Sequence, residues 1–394
     1  MKATPWVGGT ALVLLLAAPV WADEAAEAVE KGNAALAKQD FEQALGQFNK
    51  AIKIDPKNPS AYLARAVAYA MKGERTAALA DYEKVLQLDP RNVQAYTYRG
   101  GLHLGGGDID KALADFDKAL EIDPKNAAAY INRGSAYTAR RDYDKALADY
   151  SKAIEIDPKA VAAYYSRART HQLKRDFDKA LADYNKALEI DPRATAAVIG
   201  RGDVYAEKGD LDKAIAEFNR AVEMEPKSPE PYFARGETYM EKEDFARAIA
   251  DFGQVLKLDP RNRRAYVSRG EAYGEKGEYE KAIADFQEAL KLFADSPDAL
   301  SGLAWIRATC PKAELRDGKK ALEYAEKACK LTEYKEPAFL DTLAAAYAEI
   351  GQFDKAVEWQ KKALAKPDDL PEKEREKARQ RLKLYMAGKP YRKE

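Results

Sequence analysis

Two short helical patterns joined by a polar turn make up the stretch Ala129–Pro158, AYINRGSAYTARRDYDKALADYSKAIEIDP. Tyr130, Gly134 and Tyr137 fall at i, i+4 and i+7, so the first pattern predicts a helix with one packing face. Residues 143–154 give the second helix a similar face of alanines, tyrosines and an isoleucine. Small residues let a neighbouring helix approach closely, and rings fill the space between helices. A hairpin of this size cannot bury both faces alone, so we expect it to stack on copies of itself.

Copies of this stretch follow one another along most of the chain. Each copy ends in an acidic residue and a proline, and the proline stops the preceding helix because it lacks an N–H group. These dipeptides lie 34 residues apart, at Asp55-Pro56, Asp89-Pro90, Asp123-Pro124, Asp157-Pro158, Asp191-Pro192, Glu225-Pro226 and Asp259-Pro260. The period and the order of aromatic, small and proline positions resemble the tetratricopeptide repeat, from about Ala25 to Asp368.

The resemblance implies an all-α, right-handed superhelical solenoid of about ten helix-turn-helix repeats with a C-terminal capping helix. The register breaks after Leu292, so the ninth repeat is irregular, with helices expected at about Asp298–Thr309 and Gly318–Leu331. We divide the chain into a signal peptide (1–22), eight regular repeats (23–296), the ninth repeat (297–336), a tenth (337–368), and a charged capping helix and tail (369–394).

The first residues do not fit the repeat. Lys2 is followed by the apolar run Thr10–Val20 and by the small-residue pattern Val20-Trp21-Ala22, which is typical of a cleaved secretory signal. The rival interpretation is an uncleaved anchor, but the apolar run is shorter than the ~20 residues that span a bilayer. We therefore predict an exported protein, in the bacterial periplasm or outside the cell, with no membrane insertion after cleavage. Leu303–Lys366 is also similar to the terminal part of exported bacterial tetratricopeptide proteins.

Charge and motifs argue against an enzyme or a nucleic-acid-binding protein. The 65 basic and 65 acidic side chains cancel, which gives no reason to expect nucleic acid as a partner. No metal-binding, phosphate-binding or nucleophile motif occurs, so we expect no cofactor and no catalytic residues. His103 and His171 share one repeat position where other repeats have tyrosine, which favours a packing role. Cys310 and Cys329 are predicted to remain unpaired, because the expected helices place them roughly 16 Å apart.

Polar residues before the helices are expected to cap them. Asn58, Asn92, Asn126, Ser228 and Asn262 precede first helices, and Asp108, Asp142, Asp176, Asp210 and Asp244 precede second helices.

A charged pattern repeats inside the regular hairpins. An arginine on each first helix precedes an acidic residue on the second helix by 16 residues, symmetrically about the turn. We interpret these residues as a ladder of structural ion pairs, and the alternative is a basic track for a polyanion. The ladder comprises Arg65 and Asp81, Arg99 and Asp115, Arg133 and Asp149, Arg167 and Asp183, Arg201 and Glu217, Arg235 and Asp251, and Arg269 and Asp285.

The resemblance implies that partners bind a groove lined by the first helices. Its predicted residues are neutral or apolar early in the chain and acidic late in the chain. The alternative interpretation of the acidic residues is ordinary solvated helix surface. They are Leu63, Val67, Met71, Leu104, Ile131, Tyr165, Arg169, Ile199, Asp203, Glu207, Phe233, Glu237, Glu241, Val267, Glu271 and Glu275.

We predict a protein–protein interaction scaffold that binds a protein or peptide, in particular a basic or amphipathic segment. The alternatives are an accessory subunit that positions substrate for an enzyme supplied in trans, as in an envelope-biogenesis or glycosyl-transfer complex, and a self-assembling structural protein. The sequence does not define an oligomeric state.

Overall fold

The structure, a computed structural model, describes residues 20–365 and 372–393. The described chain is helical, with no β-strand, and successive helices pair into antiparallel hairpins that stack on their neighbours. The all-α repeat fold predicted from the sequence is therefore confirmed. Most of the predicted signal peptide, the end of the tenth repeat and the start of the tail lie outside the described residues.

The chain divides into two compact units, which end and begin at Ile190 and Asp191. The first unit contains five hairpins: α1 (Val20–Ala37), α2 (Phe41–Ile54), α3 (Pro59–Lys72), α4 (Arg75–Leu88), α5 (Val93–Gly105), α6 (Ile109–Ile122), α7 (Ala127–Ala139), α8 (Tyr143–Ile156), α9 (Val161–Leu173) and α10 (Phe177–Ile190).

The second unit contains five more hairpins and one further helix. Its helices are α11 (Thr195–Glu207), α12 (Leu211–Met224), α13 (Pro229–Glu241), α14 (Phe245–Leu258), α15 (Arg263–Glu275), α16 (Tyr279–Leu292), α17 (Pro297–Thr309), α18 (Gly318–Leu331), α19 (Pro337–Glu349), α20 (Phe353–Leu364) and α21 (Glu372–Met386). Among the described residues, no helix has the length and apolar character needed to cross a membrane.

Close contact between a small residue and a ring holds each regular hairpin together. Gly134 faces the buried ring of Tyr150, and a Cβ atom at this glycine would lie 2.7 Å from the ring. Alanines such as Ala78 and Ala146 are fully buried between helices. The predicted packing faces therefore form the core.

The turn inside each regular hairpin contains one residue in the left-handed conformation. Gly107 takes this position in the third hairpin with φ of 84°, and Arg141 takes it in the fourth with φ of 65°. A side chain makes this conformation costly, by roughly 1–2 kcal/mol relative to glycine. Hairpins with a residue other than glycine at this position therefore contain backbone strain in the turn.

Five of the predicted helix caps form and four do not. Asn58, Asn92, Asn126 and Asn262 have ψ of 91–102° and accept a hydrogen bond from the backbone N–H three residues ahead, as predicted. Asp244, with ψ of 69°, also caps its helix. The prediction is wrong for Ser228 and for Asp108, Asp142 and Asp210, whose side chains accept no capping hydrogen bond. Those aspartates bind Arg75, Arg140 and Lys213 instead.

The ninth hairpin is α17 and α18, whose helices lie within one residue of the predicted bounds. Cys310 and Cys329 are free and buried, as predicted. They belong to different hydrophobic clusters: Cys310 packs near Tyr279, and Cys329 packs near Leu340. Burial raises the pKa of Cys329 to about 12.

The last helix, α21, packs against α20 and α19. Ala378 and Tyr385 are buried, and Arg381 is buried beside them. The Arg381 guanidinium lies 2.9 Å from the buried carboxylate of Asp341, which also accepts a hydrogen bond from Gln360 at 2.5 Å. The capping helix is therefore fixed by a buried ion pair as well as by apolar contacts.

Candidate partner-binding groove

The seven arginines of the ladder bind their carboxylate partners on the second helix of the same hairpin. In six hairpins, Nε and Nη2 of the arginine donate to the two oxygens of an aspartate at 2.6–2.9 Å. In the remaining hairpin, formed by α11 and α12, Nη2 of Arg201 donates to both oxygens of Glu217 at 2.7 and 2.8 Å. The aspartate side chains are 7–10% exposed, so these pairs are shielded from water.

The remaining guanidinium nitrogen reaches the preceding hairpin. Nη1 of Arg65, Arg133, Arg167 and Arg235 donates to a polar side chain 16 residues earlier, namely Asn49, Asp117, Ser151 and Asn219. These partners on the preceding hairpin were not predicted, although the same 16-residue spacing, applied towards the N-terminus, identifies them. Because both partners hold the guanidinium, the arginine joins two hairpins, and the pKa of Arg133 is raised mainly by its hydrogen bond to Asp149.

The first helices form a layer of their own within each unit. Consecutive first helices contact one another, from α1 to α9 in the first unit and from α11 to α19 in the second, whereas second helices are held apart by the first helices of neighbouring hairpins. The predicted groove residues lie on this layer, with one to three of them on each first helix from α3 to α15.

In the first unit the predicted groove residues form a mostly apolar surface. Leu63 and Val67 are half-buried and pack on the core below, whereas Met71 is 55% exposed. Leu104 and Ile131 are also half-buried. The Arg169 guanidinium lies 5.9 Å from the ring of Tyr165, which leaves little of that ring for a partner.

In the second unit, predicted groove residues from two helices line a cavity of about 280 Å³. Ile199 and Asp203 on α11 and Phe233 on α13 line it, and the guanidinium of Arg264 lies 4.5 Å from the Phe233 ring. Ile199 is only 8% exposed and forms part of the cavity floor. Glu207 is exposed at the end of α11, and Val267 on α15 is half-buried.

Glutamates follow on the next two first helices. Glu237, Glu241 and Glu271 form no ion pair within the described part of the chain, whereas Glu275 binds Lys393. Burial and the neighbouring charge of Glu237 raise the pKa of Glu241.

Enclosure by protein raises the pKa of Glu271 to about 7, although water still reaches this exposed carboxylate. The negative charges of Glu237, Asp298 and Glu275 add to the shift. These carboxylates therefore lie close enough to repel one another, and among them only Glu275 has an ion-pair partner in the described residues, so this part of the groove keeps a negative potential.

A second cavity, of about 350 Å³, extends the groove beyond the predicted residues. Helices α15, α17 and α19 enclose it, with Glu271 and Asp298 as acidic walls and Trp305 and Phe339 as aromatic walls. Asp298 and Trp305 were not among the predicted groove residues, although the 34-residue register reaches them: Trp305 follows Glu271 by 34 residues, and Asp298 follows Arg264 by 34. The irregular ninth repeat hid this continuation.

The arrangement does not favour a metal ion. Within residues 20–365 and 372–393, no three or more histidine, cysteine or acidic side chains are arranged to hold one. The side chains of His103 and His171 are 12–14% exposed and lie 3.6 and 3.7 Å from Asp108 and Asp176. Burial lowers the pKa of His171. Both histidines are packing residues of their hairpins.

Comparison with known proteins agrees with this geometry. The sequence matches patterns described as tetratricopeptide repeat or TPR repeat at residues 32–73, 72–127, 127–160, 161–193, 202–243, 233–306 and 338–366. The chain therefore belongs to the tetratricopeptide repeat family, which confirms the resemblance inferred from its period. The fold and family define a scaffold for protein–protein interaction. The comparison with curated proteins finds no match.

Solved structures of similar fold include a tetratricopeptide repeat protein from Parabacteroides merdae. It is 22% identical, with a TM-score of 0.53, and the match covers 64% of this chain and 99% of that one. PilF from Pseudomonas aeruginosa is 19% identical, with a TM-score of 0.49 and coverage of 57% and 100%. YrrB, described as a TPR protein with an unusual peptide-binding site, is 28% identical, with a TM-score of 0.39 and coverage of 47% and 95%.

Proposed function

We propose that this scaffold binds a basic or amphipathic segment of a partner protein in the groove of its second unit. The observation that carries the proposal is the set of carboxylates on α13 and α15. Glu237, Glu241 and Glu271 line one groove without an ion-pair partner among the described residues, and burial together with repulsion by Glu237 raises the pKa of both Glu241 and Glu271. A positively charged segment relieves that repulsion on binding.

The shape of the groove supports a peptide rather than a small ion. The cavities at Phe233 and at Trp305 provide apolar walls beside the carboxylates. Lysine and arginine place their aliphatic stems on such walls while the charged end contacts a carboxylate. An extended or helical segment with basic side chains at intervals therefore fits both features.

The test uses a fluorescein-labelled ten-residue peptide of alternating lysine and alanine, and a matched glutamate–alanine peptide. Fluorescence anisotropy should show binding of the basic peptide alone, and binding should weaken steeply between low and high salt. Changing Glu237, Glu241 and Glu271 together to glutamine should reduce affinity at least tenfold, because three carboxylates at once are lost.

The control is a triple variant with the same change in charge outside the groove, at Glu223, Glu314 and Glu323. These glutamates are exposed in the same unit. Equal affinity of the wild type, the groove variant and the control at both salt concentrations would place the partner elsewhere.

We also propose that the protein is exported and that its signal is cut after Ala22. The support is the sequence pattern of residues 1–22, followed by acidic Asp23 and Glu24. Mass spectrometry of the mature protein should find Asp23 at the N-terminus, and an Ala22→Lys variant should retain the signal. Intact Met1 in the membrane fraction of the wild type would contradict cleavage.

A further inference from the structure

The segment that follows α21, Gly388–Lys393, turns back into the groove of the second unit. The backbone N–H of Lys393 donates to the carbonyl of Thr309, at the end of α17, at 2.9 Å. Its ammonium group lies 2.8 Å from Glu275 Oε1 and 3.1 Å from the carbonyl of Gly274. The Lys393 side chain is 18% exposed, so most of it is enclosed by the groove.

Two other residues hold this segment in place. The ring of Tyr391 lies 5.8 Å from the ring of Trp305, and the Arg381 guanidinium lies within 5.2–5.6 Å of both. Arg392 Nη1 lies 2.6 Å from Glu349 Oε2 and donates to the carbonyl of Ala308 at 3.3 Å. None of these contacts involves the side chain of Lys393.

The Lys393 ammonium enters the side of the cavity formed by α15, α17 and α19. It neutralises Glu275, but Glu271 and Asp298 on the other walls have no cation partner within the described residues. The cavity of about 350 Å³ still has room for one more side chain. Its aromatic walls, Trp305 and Phe339, suit the stem of a lysine or arginine and attract its charge.

We infer that this cavity is a pocket for one lysine or arginine side chain of the partner, and that Lys393 is a resident cation which the partner displaces. The inference rests on the proposed function, because it names the recognition element within the same groove. The chain's own lysine shows which chemistry the pocket accepts. Its ion pair is partly exposed, which makes it weak enough to exchange.

The experiment compares two single variants that lose the same charge. Lys393→Gln removes the resident cation but leaves the contacts of Tyr391 and Arg392. Lys389→Gln removes an exposed cation of the same segment and is the control. With the lysine–alanine peptide as the probe, Lys393→Gln should raise affinity about threefold, and Lys389→Gln should leave it unchanged within error.

A second pair of variants tests the pocket itself. In the Lys393→Gln background, Glu271→Gln combined with Asp298→Asn should cancel the gain in affinity, and the emission of the tryptophan at 305 should no longer respond to the peptide. A Trp305→Phe variant identifies that signal, since the chain has 4 tryptophans. Thermal melting of each variant checks that the fold is kept.

The outcomes separate this inference from the proposed function. If the peptide binds the wild type but both single variants bind it equally, the groove binds basic segments and the displacement of Lys393 is overturned. If the gain persists without Glu271 and Asp298, the pocket is overturned. If no variant binds the peptide at any salt concentration, the proposed function fails, and this inference fails with it.

Discussion

The ion pair of Arg133 and Asp149 allows a sharp test of how the hairpins are held together. Both hydrogen bonds of the pair are 2.8 Å long, and the two side chains are 20% and 9% exposed. Hydrogen bonds to charged groups contribute about 1.5–3 kcal/mol each, and the cost of removing both charges from water offsets a large part of that gain. We therefore expect a coupling free energy of about 2 kcal/mol in a double-mutant cycle of Arg133→Ala and Asp149→Ala.

Removing Asp149 alone should cost about 2–3 kcal/mol. Arg133 then still has the carboxylate of Asp117 at 2.7 Å and lies over the ring of Tyr130 at 5.4 Å. The next hairpin offers a matched comparison, because Arg167 has only the hydroxyl of Ser151 in place of that carboxylate. Asp183→Ala should therefore be more destabilising than Asp149→Ala, by roughly 1 kcal/mol, since a neutral acceptor is weaker than a charged one.

The assay is urea denaturation of the wild type, both single variants and the double variant, followed by circular dichroism. Repeat stacks can unfold in parts, so amide hydrogen exchange of α7 and α8 should accompany it and give the local free energy. Additive effects of the two substitutions, with coupling below about 0.3 kcal/mol, would show that the residues act as independent surface charges. Equal losses for Asp149→Ala and Asp183→Ala would show that the contact to the preceding hairpin has no energetic role.

Three further predictions concern pH, thiols and turns. The pKa of Glu271 in the folded chain is about 7, above that of an unfolded glutamate, so the stability of the fold falls as pH rises through this value. The Glu271→Gln variant should therefore have a higher melting temperature than the wild type at about pH 8 and the same melting temperature at about pH 4. Denatured, non-reduced protein should give two free thiols, whereas the native protein should react slowly, because burial raises the pKa of Cys310 and Cys329; no thiols in a monomer would contradict the structure. Arg141→Gly should stabilise the fourth hairpin by about 0.5–1 kcal/mol in thermal melts, because φ is 65° there, and Gly107→Ala should destabilise the third.

Much of the fold was predictable because the same helix pattern occurs many times in the sequence, and each copy supports the same structure. The ladder followed from one spacing, since residues placed symmetrically about a turn lie at the same height on adjacent helices. The caps show the limit of such patterns. Asp108 and Asp244 occupy the same position in the repeat, yet only Asp244 accepts a backbone hydrogen bond, whereas Asp108 binds Arg75. The repeat position alone does not show which of these contacts the side chain makes.

The candidate groove stays a prediction, but the place of its residues on the first helices followed from the sequence wherever the 34-residue register held. Glu237 and Glu271 were placed in this way, whereas Trp305 lies in the irregular repeat and was not predicted. The contact between Lys393 and Glu275 joins residues 118 positions apart. No periodic pattern covers the segment after Gly388, so tertiary contacts with α15, α17, α19 and α21 determine where it lies.

Ladder arginines that bind both their own hairpin and the preceding one make neighbouring hairpins equivalent in their contacts. Arg133 finds one partner 16 residues ahead and another 16 residues behind, and Arg167 does the same. Deleting residues 127–160 would bring Arg167 to the place that Arg133 now holds, with Asp117 behind it and Asp183 ahead. Inserting or deleting one whole repeat in this part of the chain therefore keeps every ladder guanidinium paired. The fold should tolerate changes in length that are multiples of 34 residues.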